Sequence, residues 1–204
     1  LQYEERNGLA AFSRATGTIT SLNANANGTV FALDVDGDDL YVGGSFSSIG
    51  GQTRNNIAKL AKATGVASGI WNANANNRVR SIKVGASGVY MAGTFTSLNG
   101  GTIRNYLAQA DKTTGQVTTW NPKPDYTAEF VTIGNADVYA GGSFDYLKHQ
   151  SRRNLAAYTL SGDSVTAWDP SLNGTVYALA ANSGNIYAGG SFTNIGGQTR
   201  NRIA

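Results

Sequence analysis

A six-residue sequence recurs along this chain at an almost constant spacing, and this repeat restricts the possible folds more than any other feature. It reads Tyr-Val-Gly-Gly-Ser-Phe from Tyr41 and returns with conservative changes from three later tyrosines: Tyr90, Tyr139 and Tyr187. The spacings are 49, 49 and 48 residues. A tryptophan keeps the same period at Trp71, Trp120 and Trp168, and the dipeptide Arg-Asn recurs at Arg6, Arg54, Arg104, Arg153 and Arg200. Several markers at one period indicate tandem copies of one supersecondary unit.

The pattern inside one period is that of short β-strands. Short apolar runs at residues 30–35, 40–49, 56–61 and 66–71 are separated by the turn sequences Asp36-Gly37, Gly50-Gly51 and Thr64-Gly65. Four short strands in 48–50 residues are typical of one blade of a β-propeller. A single blade cannot cover both of its faces, whereas blades stacked around an axis cover each other. The sequence therefore predicts an all-β fold, a β-propeller of four-stranded blades.

The repeat also predicts how the chain is divided. Residues 1–204 form a single propeller segment with blade units 28–76, 77–125 and 126–173, preceded by the second half of a blade at 1–27 and followed by the first half of another at 174–204. Residues 200–204 have the same pattern as residues 6–10, so the two segments would compete for one place in a closed ring of four blades. Because end repeats are normally atypical caps and these are not, we expect a part of a longer propeller. Closure within one chain and assembly of two chains into one ring are the alternatives.

The blade resembles a known group of repeats. The similarity lies in residues 41–46, 50–58, 64–65 and 71–72 and their later copies, which read Tyr-x-Gly-Gly-Ser-Phe, Gly-Gly-Gln-Thr-Arg-Asn-x-Ile-Ala, Thr-Gly and Trp-Asn. They resemble the poorly characterised propeller repeats of large secreted bacterial surface proteins and of a fungal cortical marker of bud sites, with a more distant similarity to kelch blades. The resemblance implies a propeller in an extracellular or cell-surface setting, and it brings no catalytic residues with it. The third copy departs from the pattern, because Leu147-Lys148-His149-Gln150 replaces Ile-Gly-Gly-Gln.

Composition excludes several kinds of site. The chain has no cysteine and one histidine, which removes disulfides, thiol nucleophiles and sites that need two imidazoles. We expect no metal and no cofactor. The net charge is only +3 and the basic residues are spread along the chain, so we expect no nucleic-acid partner. No run of 18 apolar residues is present, which argues against membrane insertion. Charged residues make up only 14%, and this low share favours an extracellular location.

The best candidates for binding are residues that break the repeat. One position of the first strand of each unit carries four different side chains: Phe31, Arg80, Glu129 and Tyr177. If the first strand is innermost, this position lines the central channel or its mouth, where two aromatic and two charged groups would suit a small ligand such as a sugar. The alternative is a structural ion pair between Arg80 and Glu129. The irregular turn adds Lys148 and His149 as candidate binding residues. The acidic run from Asp34 to Asp39 lacks the spacing of a calcium loop, and a hairpin turn explains it better.

Nothing in the sequence favours catalysis. No nucleophile signature surrounds His149. A glycosidase needs two carboxylates, and the positions equivalent to Glu129 in the other units are not acidic. We therefore predict a protein that is not an enzyme: a rigid binding or adhesion module with a protein or glycan partner at the cell surface. The alternatives are a carbohydrate-binding, lectin-like propeller and a structural repeat of an extracellular fibre or stalk. The ends of the chain also offer a possible route to self-association.

Overall fold

The all-β prediction is confirmed. The computed structural model describes residues 5–134, 136–160 and 164–204, and these ranges contain strands and turns but no helix. No helix that could serve as a membrane span occurs in them. The predicted half-blade at 1–27 begins with residues 1–4, which lie outside the described ranges.

Nineteen strands are described, and they follow the repeat. The unit at 28–76 has β1 (Thr29–Asp36), β2 (Asp39–Ser45), β3 (Ser48–Ile49), β4 (Gln52–Thr53) and β5 (Ile57–Ala61). The unit at 77–125 has β6 (Val79–Val84), β7 (Val89–Gly93), β8 (Ser97–Leu98), β9 (Thr102–Ile103) and β10 (Leu107–Ala110). The unit at 126–173 has β11 (Ala128–Ile133), β12 (Asp137–Gly142), β13 (Tyr146–Leu147), β14 (Gln150–Ser151) and β15 (Leu155–Thr159). The last unit has β16 (Val176–Ala181), β17 (Ile186–Gly190), β18 (Asn194–Ile195) and β19 (Gln198–Thr199).

Each of the three complete units forms one antiparallel sheet of three strands. The orders are β1-β2-β5, β6-β7-β10 and β11-β12-β15, and β16 pairs with β17 in the last unit. A separate two-stranded hairpin follows the second strand of every unit, as in β3-β4. In three units it closes on a two-residue turn with positive φ at both residues, such as Gly50 and Gly51, which matches the twist of a tight hairpin, and β8-β9 closes on the three residues Asn99, Gly100 and Gly101.

The predicted fourth strand is not a strand in the described residues. In the first complete unit it is reduced to a single bridge between Leu60 and Ala67, and the same bridge recurs as Ala110 with Val117 and as Tyr158 with Val165. The chain then turns away from the sheet edge, where the Trp71 N–H donates to Ser68 Oγ at 3.2 Å. This turn places the Trp71 indole in the space between two sheets. Burial of this large apolar ring stabilises the fold more than further strand pairing would.

The core lies between neighbouring units. One apolar cluster joins Tyr41 and Trp71 of the first complete unit to Val79, Ile82 and Met91 of the next. Trp71 is fully buried, packs edge-on against Tyr41 at 5.5 Å and donates from Nε1 to the main-chain oxygen of Asp111 at 2.9 Å. Each unit is therefore completed by its neighbour.

Trp120 repeats this role and Trp168 does so only in part. Trp120 is buried and donates from Nε1 to the Thr159 main-chain oxygen at 3.3 Å, whereas Trp168 packs on Tyr139 but stays 38% exposed. The repeated tryptophan thus fills the space between units at Trp71 and Trp120. It argues against a sugar site built on one exposed tryptophan per blade.

The first strands of the units form the contacts from sheet to sheet. β1 contacts β6, β6 contacts β11, and β11 contacts β16. We call these four the inner strands. They are the middle of the assembly of sheets, and the hairpins and bridge segments lie further out.

Candidate functional site

The four variable first-strand residues all occupy the same special position, a β-bulge. Val30 pairs with Gly44 and Ala32 with Gly43, so Phe31 has no partner on β2. The same shift in register leaves Arg80, Glu129 and Tyr177 unpaired on the other inner strands. A bulge redirects the side chain of its extra residue, and bulges are frequent beside functional sites. We call Phe31, Arg80, Glu129 and Tyr177 the bulge row.

The second glycine of each doublet makes the bulge possible. A Cβ added to Gly44 would overlap the main-chain oxygen of Thr29, two residues before Phe31. The equivalent glycines face the same obstacle from the residues in the corresponding places: Arg78, Thr127 and Thr175. The crowding expected from the Gly-Gly pair is therefore present, and the backbone that approaches belongs to the same unit.

The bulge row has two charged side chains in the middle and one aromatic side chain at each end. Arg80 and Glu129, on neighbouring inner strands, form an ion pair with 3.1 Å between Nε and Oε2. Phe31 and Tyr177, on the two flanking strands, are about half-exposed. The row therefore runs from an aromatic ring through an ion pair to a second aromatic ring. The structure contains the ion pair that the structural alternative required, and it leaves both aromatic rings accessible.

The hairpin turn of the third complete unit has left-handed backbone like the equivalent turns of the other units, but it carries different residues. Lys148 and His149 have φ of 45° and 67°, where the other turns carry Gly50-Gly51, Asn99-Gly100-Gly101 and Gly196-Gly197. A left-handed residue other than glycine costs about 1–2 kcal/mol. Lys123 is a third such residue, with φ of 49°, and its main-chain oxygen accepts from the Lys148 N–H at 3.3 Å. Three basic residues thus share one corner of the third unit.

The repeated arginines serve the backbone of their own units. Arg104 donates to the main-chain oxygens of Ile103 and Thr118, at 2.8 and 2.6 Å. Arg54 makes the equivalent pair of bonds, and in the third unit it is Arg152 that does so. The expected equivalence of Arg153 is therefore wrong by one residue. A guanidinium committed to two carbonyls in this way is a poor candidate for a ring that recognises acidic sugars.

The acidic run before β2 is divided among four lysines. Asp39 contacts Lys59 at 2.7 Å and Asp34 contacts Lys83 at 3.2 Å, while Asp38 and Asp36 contact Lys62 and Lys112. Asp34 also accepts from the Val84 N–H at 2.7 Å and so joins two units. Within the described ranges, no three His, Cys, Asp or Glu residues lie close enough to hold a metal ion. The run functions as a charged hairpin and as a link between units.

Two ionisable groups beside this hairpin have shifted pKa values. Burial raises the pKa of the Tyr41 phenol, which the charge of Lys59 opposes and that of Asp39 supports. Burial alone would lower the pKa of the Lys59 amine, but its hydrogen bond to Asp39 and the charge of Tyr41 outweigh that effect, and the pKa is raised. Both shifts favour the folded chain below about pH 10, and the benefit is lost as the pH rises through the raised values.

A side-chain clamp that sequence reasoning missed lies immediately before each unit, on an asparagine in three cases and on Asp125 in the fourth. Asn76 Oδ1 accepts from the Thr96 and Ser97 N–H groups at 2.8 and 3.1 Å, and Nδ2 donates to Thr96 Oγ1 at 2.9 Å. Asn27 and Asn173 do the same, and Asp125 makes the two acceptor bonds. The signal was present, since these residues keep the common period. It also gives the Asn-Gly-Thr sequences at Asn27 and Asn173 a role in turn structure.

Comparison with known proteins gives a family for part of the chain. Residues 39–62 and 181–204 match a family described as a domain of unknown function (DUF5122) beta-propeller. The matching family is a β-propeller. Both stretches contain a glycine doublet, the tight turn after it and the repeated arginine, and together they are well short of half the chain. The prediction of a propeller-type repeat is supported at this level.

Solved structures add a likeness in fold. The crystal structure of the computationally designed Ika4 protein is similar with a TM-score of 0.60 at 11% identity, over 84% of this chain and 90% of that one. The designed Ika8 protein gives a TM-score of 0.49 at 12% identity, over 93% of this chain and 65% of that one. No curated protein matches the chain. At such identities the likeness to Ika4 concerns the fold and not the activity.

Proposed function

We propose that this chain is a non-catalytic β-propeller module of a secreted or cell-surface protein, and that it acts as a rigid platform for binding or adhesion. The observation that carries the proposal is the bulge row. The same backbone irregularity recurs in four units, yet it displays Phe31, Arg80, Glu129 and Tyr177. A purely architectural position would keep one residue type, as the doublet glycine and the arginine do.

The scaffold fixes these four side chains firmly. Each lies on an inner strand, and the residue before it pairs with a glycine where an added Cβ would collide with main-chain atoms. Such rigidity lowers the entropic cost of binding. Two exposed rings with charged groups between them suit a partner that has both apolar and polar parts, either a protein or a glycan.

The Lys148–His149 turn supports the same proposal independently. Glycine would adopt this backbone with less strain, and each of the three equivalent turns contains two glycines. Retaining two basic residues there works against local stability, which is typical of functional positions. The low charge of the chain and its resemblance to secreted repeats support the extracellular setting.

The test begins with a screen of the chain on arrays of glycans and of purified extracellular proteins. Any ligand found is measured against the double variants Phe31→Ala/Tyr177→Ala and Lys148→Gly/His149→Gly. We expect at least one of them to weaken binding about tenfold or more. A chain that binds nothing on either array, or whose ligand is held equally by both variants, would contradict the proposal.

The stability of the Lys148→Gly/His149→Gly variant shows whether any loss of binding comes from misfolding. Its free energy of unfolding should rise by roughly 1 kcal/mol, because relief of two left-handed residues outweighs the entropy that two glycines add to the unfolded chain. Urea denaturation measures this change. Weaker binding by a more stable variant cannot be attributed to misfolding, and a loss of stability would remove the argument from strain.

A carbohydrate-binding propeller is the second candidate, and one cleft favours it. An open cleft of about 410 Å³ lies in the first complete unit between the clamps Asn27 and Asn76, and Asn55 and Asn56 also line it. Side-chain amides suit the hydroxyl groups of sugars because they both donate and accept hydrogen bonds. The array screen separates this candidate from a protein-binding platform by the class of ligand it returns.

A further inference from the structure

The contact between neighbouring units is built like a knob in a socket. The knob is an apolar side chain on an inner strand, Ile82 or Val131, and these are only 6% and 4% exposed. The socket is the first residue of the doublet in the preceding unit. A Cβ added to Gly43 would lie 2.8 Å from Val79 Cγ1 and 3.0 Å from Ile82 Cδ1. Gly141 faces Val176 and Leu179 in the same manner, at 2.6 and 3.0 Å.

Among the described residues, one knob on β1 and one socket on β17 are left uncovered. Leu33 has the place of Ile82 on β1 and is 49% exposed, and Phe31 and Val35 beside it are also exposed. Gly189 has the place of Gly43 on β17, and an added Cβ there would find nothing closer than 3.8 Å. An apolar hollow of about 230 Å³ surrounds it, lined by Ala178, Ala180, Tyr187 and Ile203 among others.

We propose that a second copy of this chain docks at these faces, with Leu33 of one copy seated over Gly189 of the other. The partner is specified by the internal contacts, because an apolar knob of one unit already sits over a glycine socket of the preceding unit twice within one chain, at Gly43 and at Gly141. The two faces differ, so the contact is head-to-tail, and repeating it gives a ring or an open filament. This inference does not depend on the binding function proposed above.

One segment competes with this docking. The partner's Leu9, which is only 8% exposed on its own unit, would approach the edge of β17 that Ile203 and Ala204 now occupy. Ile203 is 73% exposed, so little apolar burial holds that segment in place. We therefore expect the last five residues, 200–204, to oppose association, and their removal to strengthen it.

The experiment is sedimentation velocity over a range of concentrations with four forms of the chain. The unmodified chain should associate reversibly, and the form lacking residues 200–204 should do so at least tenfold more tightly. Gly189→Val and Leu33→Asp should each remain monomeric. Both substitutions fall on exposed, uncrowded positions, and circular dichroism checks that the strands are retained.

Mixing the two single variants gives the decisive result. Gly189→Val keeps an intact Leu33 face and Leu33→Asp keeps an intact Gly189 face, so an equimolar mixture should form dimers and nothing larger. The proposal is overturned if the unmodified chain stays monomeric at its highest soluble concentration. It is also overturned if either variant alone associates as the unmodified chain does.

Discussion

At the scale of single residues, the structure distinguishes glycines that are sterically required from those that are not. The second doublet glycine is required by the main-chain oxygen that lies where its Cβ would be, as Gly93 shows with Arg78. Gly69, by contrast, is exposed, has ordinary backbone geometry and would meet nothing within 4 Å. The two glycines look alike in the sequence, and only their surroundings separate them.

Gly93→Ala should therefore destabilise the chain by roughly 2–3 kcal/mol, because the carbonyl that a Cβ would meet belongs to the backbone and moves only with the bulge. Gly69→Ala is the matched control and should change the free energy of unfolding by less than about 1 kcal/mol. Urea denaturation of both variants measures the difference. Equal effects would mean that the bulge adapts to a side chain at no cost.

At the scale of elements, a single bridge replaces the predicted fourth strand in the three complete units, and the tryptophan that follows it packs towards the neighbouring unit. Trp71 and Trp168 follow the same sequence pattern, yet Trp71 is fully buried and bonded to Asp111, while Trp168 is 38% exposed. The value of the tryptophan thus depends on the unit that follows it.

Trp71→Ala should cost about 3–5 kcal/mol, the usual range for removing a buried aromatic side chain. Trp168→Ala should cost clearly less, since part of its surface is already in contact with water. Thermal unfolding followed by circular dichroism compares the two under identical conditions. A Trp168 variant as unstable as the Trp71 variant would show that the two rings contribute equally despite their different exposure.

At the scale of the whole molecule, stability is distributed unevenly along a row of similar units. β7 is buried along its whole length, whereas most of β16 is partly or fully exposed. In a repeat protein each unit is stabilised mainly by its neighbours, so units at the ends open more readily. The middle units are therefore the rigid part of any binding platform.

Amide hydrogen exchange should show this gradient directly. Residues of β6 and β7 should exchange more slowly than the equivalent residues of β16 and β17, because local opening is easier where fewer apolar contacts must break. Mass spectrometry of peptic fragments measures both in one sample. Equal protection at low protein concentration would contradict the gradient, whereas protection of β17 that grows with concentration would agree with docking of a second copy.

The sequence by itself determined the repeat, the all-β class and the positions of the tight turns, because these depend on residues close together in the chain. It also singled out Phe31, Arg80, Glu129 and Tyr177 as exceptions to the repeat. It did not show that they are bulges, since an unpaired residue is defined by the register of another strand.

Only the tertiary structure decided the features that join residues about fifty positions apart. The pairing of Arg80 with Glu129, the pairing of Asp34 with Lys83 and the socket at Gly43 all arise where one unit meets the next. The loss of the fourth strand has the same origin, since a tryptophan leaves its sheet only when a neighbour offers a place to bury it. Local chemistry specifies each unit, and packing between units specifies what its side chains do.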